Sequence, residues 1–87
     1  MRLAIVMPVL GEGAGLLPRL QALTPLRKRG VWLILVDGGS PGGLPAAVSG
    51  LADEVLMAPR GRSSQLNAGA RAACRRGAEV LLFLHAD

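Results

Sequence analysis

The sequence predicts an α/β protein: a Rossmann-like parallel sheet of about four strands with flanking helices. Three observations carry this. Four short apolar runs, at residues 3–7, 31–36, 54–57 and 80–84, alternate with helical patterns, and such alternation gives parallel sheets covered by helices. The first, second and fourth runs are continuously apolar, as strands buried on both faces are. Hydrophobic residues make up 51% of the chain and aromatics only 2%, so the core must be built from Leu, Val, Ile and Ala.

The first run ends at Pro8. It is too short to span a bilayer, and Gly11-Glu12-Gly13 follows it in place of a leader-cleavage site. Residues 15–29 then read as a helix with Leu16, Leu20 and Leu23 on one face and Leu26 close by. Pro18 is tolerable in its first turn, Pro25 predicts a kink or an early end, and Gly30 is the natural stop. The second run ends at Asp37. A short, weak helix is predicted over 45–51, and the brief third strand over 54–57. The last helix is predicted to be capped by Ser63 or Ser64, to turn Leu66, Ala70 and Ala73 inward, and to end at Gly77. Arg71, Arg75 and Arg76 read as its solvent face. The fourth run ends at His85-Ala86-Asp87.

A chain of 87 residues makes one small domain, burying roughly 60% of the surface its unfolded form exposes. The formal charge is +4, and Lys28 is the one lysine among ten basic residues. Single-strand nucleic-acid platforms need aromatic side chains. With one Trp, one Phe and no Tyr, a small phosphorylated ligand fits better, and no nucleic-acid partner and no transmembrane segment are expected. Cys74 is alone and cannot form an internal disulfide, so a reducing, cytoplasmic compartment is expected. Cys74 itself is expected to be a small buried apolar residue.

Polar residues collect where strands end. In open parallel sheets, ligands bind beyond the carboxyl ends of the strands, where strand order reverses. Three acidic residues fall there: Glu12, Asp37 and Asp87. Asp37 has two readings, as an acceptor for a ligand N–H or hydroxyl or as the cap of an Asp37-Gly38-Gly39-Ser40 turn. Asp87 could hold Mg²⁺ or Mn²⁺ against a diphosphate, although one carboxylate is a poor site without phosphate oxygens. His85 is open to metal binding, ligand binding or a structural role. Arg60-Gly61-Arg62-Ser63-Ser64, ahead of a helix, reads either as an anion cradle or as a solvated basic loop. Gly11-Glu12-Gly13-Ala14-Gly15 is close to a dinucleotide fingerprint, but its third glycine comes one residue early.

Four segments together resemble glycosyltransferase family 2, inverting enzymes of the GT-A fold. They are Ala4-Ile-Val-Met-Pro-Val-Leu-Gly-Glu12, Leu35-Val-Asp-Gly-Gly-Ser40, Ala58-Pro-Arg-Gly-Arg-Ser-Ser-Gln-Leu-Asn-Ala-Gly-Ala70 and Leu82-Phe-Leu-His-Ala-Asp87. The last two are most similar to a bacterial subgroup labelled selenodomain- or radical-SAM-associated transferases. The resemblance implies a nucleotide-diphosphate sugar as donor. It implies that residues 8–10, Pro8 and Leu10 included, wall the base, that Glu12 faces ribose or base, and that Asp37, followed by Gly38, binds the base. It places Arg60 and Arg62 near the diphosphate, with Asn67 supporting their loop. It places His85 at the donor and Asp87 on the divalent metal, Mn²⁺ or Mg²⁺. Gly11 stands where the family has Asn, Gly42 where an acidic residue is usual, and His85 where the metal motif begins with an acid.

The family's acceptor site and catalytic base follow the metal motif, so the resemblance implies a donor-binding N-terminal segment and assigns no catalytic residue. Left bare, residues 80–84 would form an apolar edge, and self-association through it is expected. Competing readings are a nucleotidyltransferase or dinucleotide-binding module, with phosphate contacts at residues 11–15, and a non-catalytic interaction fragment.

Overall fold

The computed structural model describes residues 2–11 and 15–86. Four strands, β1 (Leu3–Val9), β2 (Trp32–Asp37), β3 (Glu54–Met57) and β4 (Val80–Phe83), form one sheet in the order β3-β2-β1-β4. Every pairing is parallel. The helices are α1 (Leu16–Ala22), α2 (Thr24–Lys28), α3 (Ala46–Ser49) and α4 (Arg62–Arg75). The architecture is therefore α/β and Rossmann-like.

Side-chain alternation along the strands divides the core into two layers. Ile5, Met7 and Val9 of β1 and Leu33 and Leu35 of β2 pack with Leu16, Leu20 and Val48 from α1 and α3. Ala4, Val6, Ile34 and Val36 face the other way and pack with Ala72 and Ala73 of α4. The second layer is thin. A Cβ added at Gly69 would stand 2.2 Å from Val6 Cγ1 and 3.1 Å from Val36 Cγ2. Glycine at 69 is what lets α4 lie this close to the sheet.

The proline and glycine signals act as expected. The helical stretch after β1 is broken at Leu23, with Pro25 in the first turn of α2. Gly30 (φ 92°) and Gly77 (φ 84°) stand in the left-handed region just beyond α2 and α4. Pro8, by contrast, lies inside β1. Leu84 N–H donates to Val6 O at 3.1 Å, so the polar backbone of Val6, and by alternation that of Pro8, faces β4. Pairing with β4 ends at Val6↔Phe83, so the missing N–H of Pro8 interrupts no existing ladder bond.

The end of the sheet where the strands begin is tied by charge. Arg27 grips Asp53 with a two-toothed contact, Nε–Oδ2 and Nη2–Oδ1 both 3.1 Å, and Asp53 Oδ2 also accepts Leu33 N–H at 2.7 Å. Arg76 pairs with Glu54 at 2.9 Å and lies 5.8 Å from the centre of the Trp32 ring. Arg76 is thus a tie between α4, β2 and β3, and not part of the helix's solvent face. β4 is an edge strand, and Val80, Leu82 and Phe83 are exposed there, Phe83 by 45%. Met57 on the opposite edge is 77% exposed.

Candidate functional site

β1 is the point at which strand order reverses. The chain leaving β1 runs through α1 and α2 to β2 on one side, while α4 carries it over the other face to β4 on the far side of β1. The crevice between the ends of β1 and β4 is the topological switch point of a doubly wound sheet. A pocket of about 160 Å³ opens there, lined by Pro8 and Val9 of β1 and Leu10 just beyond it, Arg62 and Gln65 from α4, and His85 and Ala86 beyond β4. The fold thus brings together Pro8, Leu10, Arg62 and His85, residues up to 77 positions apart in sequence.

Arg62 is the first residue of α4. Gly61 precedes it with φ 138°, and no side chain caps the helix. Neither serine fills the expected capping role: Ser64 instead donates its hydroxyl to the carbonyls of Pro59 and Gly61. The uncapped N–H groups and the guanidinium together give this end of the pocket positive character. Neither Arg60 nor Arg62 makes an ion pair with any described residue. Arg60 is exposed in the preceding loop and does not line the pocket.

Asp37 is 2% exposed. Its Oδ1 accepts Gly39 N–H at 3.1 Å, Ser40 N–H at 2.8 Å and the Ser40 hydroxyl at 2.7 Å. Burial pushes its pKa up, but these bonds outweigh burial and hold it below the ordinary aspartate value. Ser40 Oγ also accepts Gly11 N–H at 2.8 Å, joining the loops that leave β1 and β2. The turn-capping role is therefore realised on Oδ1. Asp37 shares the face of Leu33 and Leu35, the α1 side, and does not line the switch-point pocket. A second depression of about 320 Å³ lies beyond that turn, lined by Gly11, Leu16, Ser40, Pro41, Gly43, Leu44 and Pro45.

Gln65 is the residue that sequence reasoning missed. A polar residue in a first helical turn reads as surface, yet Gln65 is buried, with Gly69, Ala72 and Ala73, on the inner face of α4. Of the expected Leu66, Ala70 and Ala73, Ala73 is buried on that face and Leu66 packs at its margin, whereas Gln65, Gly69 and Ala72 fill the rest of the contact with the sheet. The one available signal was that Gln65 and Asn67 are unusual so early in a helix. Asn67 is exposed on the outer face, lining a depression with Ala70, Arg71, Cys74 and Arg75. Cys74 is exposed there, contrary to the expected burial. It lies on the outer side of the helix, turned away from the small-residue seam.

Glu12, Gly13, Ala14 and Asp87 lie outside the described residues. Among the described residues, no group of three His, Cys, Asp or Glu side chains comes together to hold a metal ion, and no helix is long and apolar enough to cross a membrane. The fold and crevice define a doubly wound α/β protein with a switch-point pocket. A scan against protein-family models and searches of curated proteins and of solved structures return no match.

Proposed function

We propose that this chain binds a nucleotide-diphosphate sugar across the ends of β1, β2 and β4, as the donor-binding part of a family 2 glycosyltransferase. The observation that carries the reading is the switch-point pocket, which Arg62 and His85 both line at the end of β1, beside a helix N-terminus with no side-chain cap at Gly61. Guanidinium groups and helix N-termini both suit phosphate oxygens. In this reading Arg62 meets the diphosphate and Arg60 approaches it from the loop. The base and ribose lie toward the Gly11 and Ser40–Pro45 depression, near Gly38 and the remaining oxygen of Asp37. Mn²⁺ or Mg²⁺ would rest on Asp87 and on oxygens of the diphosphate itself, and when bound would neutralise charge on the departing diphosphate.

Calorimetry with uridine and guanosine diphosphates, with and without Mn²⁺, tests the reading. Binding of at least one nucleotide is expected, strengthened by Mn²⁺ and weakened about tenfold or more by Arg62→Ala, the loss expected for a charged hydrogen bond. Binding indifferent to metal, to Arg62→Ala and to Asp37→Ala would sink it. No binding at all would favour a non-catalytic fragment. Affinity that responds only to substitutions at Gly11 and Gly15 would favour a dinucleotide module.

Exposed apolar side chains on an edge strand favour pairing with another chain, which supports a second proposal, homo-oligomerisation through β4. Sedimentation at rising concentration should reveal association, and Leu82→Lys should suppress it. A clean monomer at high concentration would remove the idea.

A further inference from the structure

Gln65 is 5% exposed, and both polar atoms of its carboxamide are engaged. Its Nε2 donates to Val9 O at 3.1 Å and to Val36 O at 2.9 Å. Its Oε1 accepts Gly61 N–H at 3.2 Å. The three partners belong to three different elements of the site: the last residue of β1, the penultimate residue of β2 and the N-cap of α4. A carboxamide carries two donors and an acceptor on one planar group. Ionised Glu has no donor, Met has neither function in useful strength, and Asn is one carbon shorter.

The strand end is shaped around this group. A Cβ on Gly38 would stand 2.8 Å from both Cδ and Oε1 of Gln65. Gly38 does not have a positive φ, so glycine is required there for space and not for backbone freedom. Val9 O meanwhile accepts Gly38 N–H at 3.0 Å as well as the Gln65 amide. The carboxamide therefore fixes where the first turn of α4 stands relative to two strand ends. Arg62, one residue beyond Gly61, lines the same pocket as Gln65.

We propose that Gln65 is a positioning residue of the switch-point pocket: by tying Gly61 to the ends of β1 and β2, it sets where Arg62 meets a bound diphosphate, and so sets the pocket's affinity for it. The inference rests on the reading that this pocket takes the diphosphate of a nucleotide. Gln65 acts through Gly61 and Arg62 and need not touch the ligand.

The test combines uridine diphosphate calorimetry with amide NMR on the wild-type chain, Gln65→Met, Gln65→Glu and Arg62→Ala. Gln65→Met should keep a dispersed spectrum, shift the amide resonances of Gly38, Gly61 and Arg62, and bind at least tenfold more weakly. Gln65→Glu adds a readout that a merely space-filling role would not move. Its ionised carboxylate would face two carbonyl oxygens, whereas the protonated acid can donate to one of them. Burial and those carbonyls raise the pKa of such a group, so its affinity relative to wild type at the same pH should recover at pH 5 and fall at pH 8. If Gln65→Met does not fold, this pH ratio decides. A flat ratio overturns the proposal, as does wild-type affinity in Gln65→Met while Arg62→Ala loses binding; in either case the pocket reading stands. No binding by the wild-type chain, with Mn²⁺ present, overturns the pocket reading and the positioning role together.

Discussion

The two ends of the sheet are held by different chemistry. Where the strands begin, arginines are spent on structure: Arg27 on Asp53, and Arg76 on Glu54 and the face of Trp32. Where the strands end, short neutral groups do the tying. Ser40 links Asp37 to Gly11, and Gln65 links Val9, Val36 and Gly61. Arg60 and Arg62 at that end make no ion pair with any described residue. These ties, none of which uses a guanidinium, build the binding end without consuming the positive charges that an anionic ligand would need.

This difference can be broken by substitution. Gln65→Met should cost most, about 2–3 kcal/mol, because it removes three hydrogen bonds made by a buried carboxamide. Asp53→Ala should cost about 1–2 kcal/mol, since its contacts include a backbone N–H but are partly open to solvent. Glu54→Gln should cost least, about 0.5 kcal/mol, the ordinary worth of a partly exposed ion pair. Urea unfolding measures all three, and a larger loss from Glu54→Gln than from Gln65→Met would invert the comparison.

Acid sharpens the same contrast. Asp37 and Asp53 are each pushed up by burial and pulled down further by their partners, so both sit below the ordinary aspartate value. A carboxylate lowered in the folded state adds stability above its unfolded pKa and loses it as pH falls through the folded one. Stability should therefore decline below about pH 4. The partners of Asp37 are neutral, whereas Asp53 also feels the charges of Arg27 and Arg76. In Asp53→Asn the remaining acid loss should be indifferent to 1 M NaCl, and in Asp37→Asn it should shrink, as screening predicts. Equal salt sensitivity in both variants would remove the distinction.

The frame of this fold was legible in the chain because strands here are plain apolar runs. The third strand falls where Glu54 to Met57 placed it, and Pro25, Gly30 and Gly77 punctuate as their backbones require. The phase of α4 was legible only in part. Ala73 is buried and Leu66 packs at the margin of the layer as expected, but glycine and alanine carry too little apolar bulk to mark Gly69 and Ala72 as the closest contact with the sheet. Cys74 was misjudged on a different ground: free cysteines are usually buried, but this one falls on the outer face of α4. Gln65 was hidden because its meaning depends on carbonyls 56 and 29 positions away. For Asp37 the sequence allowed a turn or a ligand, and only the coordinates show that one oxygen is already committed to Ser40 and Gly39.

Pro8 has a consequence for the shape of the crevice. β1 and β4 are joined like a zip from Leu3↔Val80 to Val6↔Phe83, the last tooth being Leu84 N–H on Val6 O. The next tooth on that side of β1 would have to come from the backbone nitrogen of Pro8, which has no hydrogen to give. The pairing of β1 with β4 ends before Pro8, and Pro8–Leu10 and His85–Ala86 line the pocket beyond it. An imino acid placed one rung past the final bond is thus a stop built into the backbone itself: whatever meets the crevice at that rung finds no N–H to pair with.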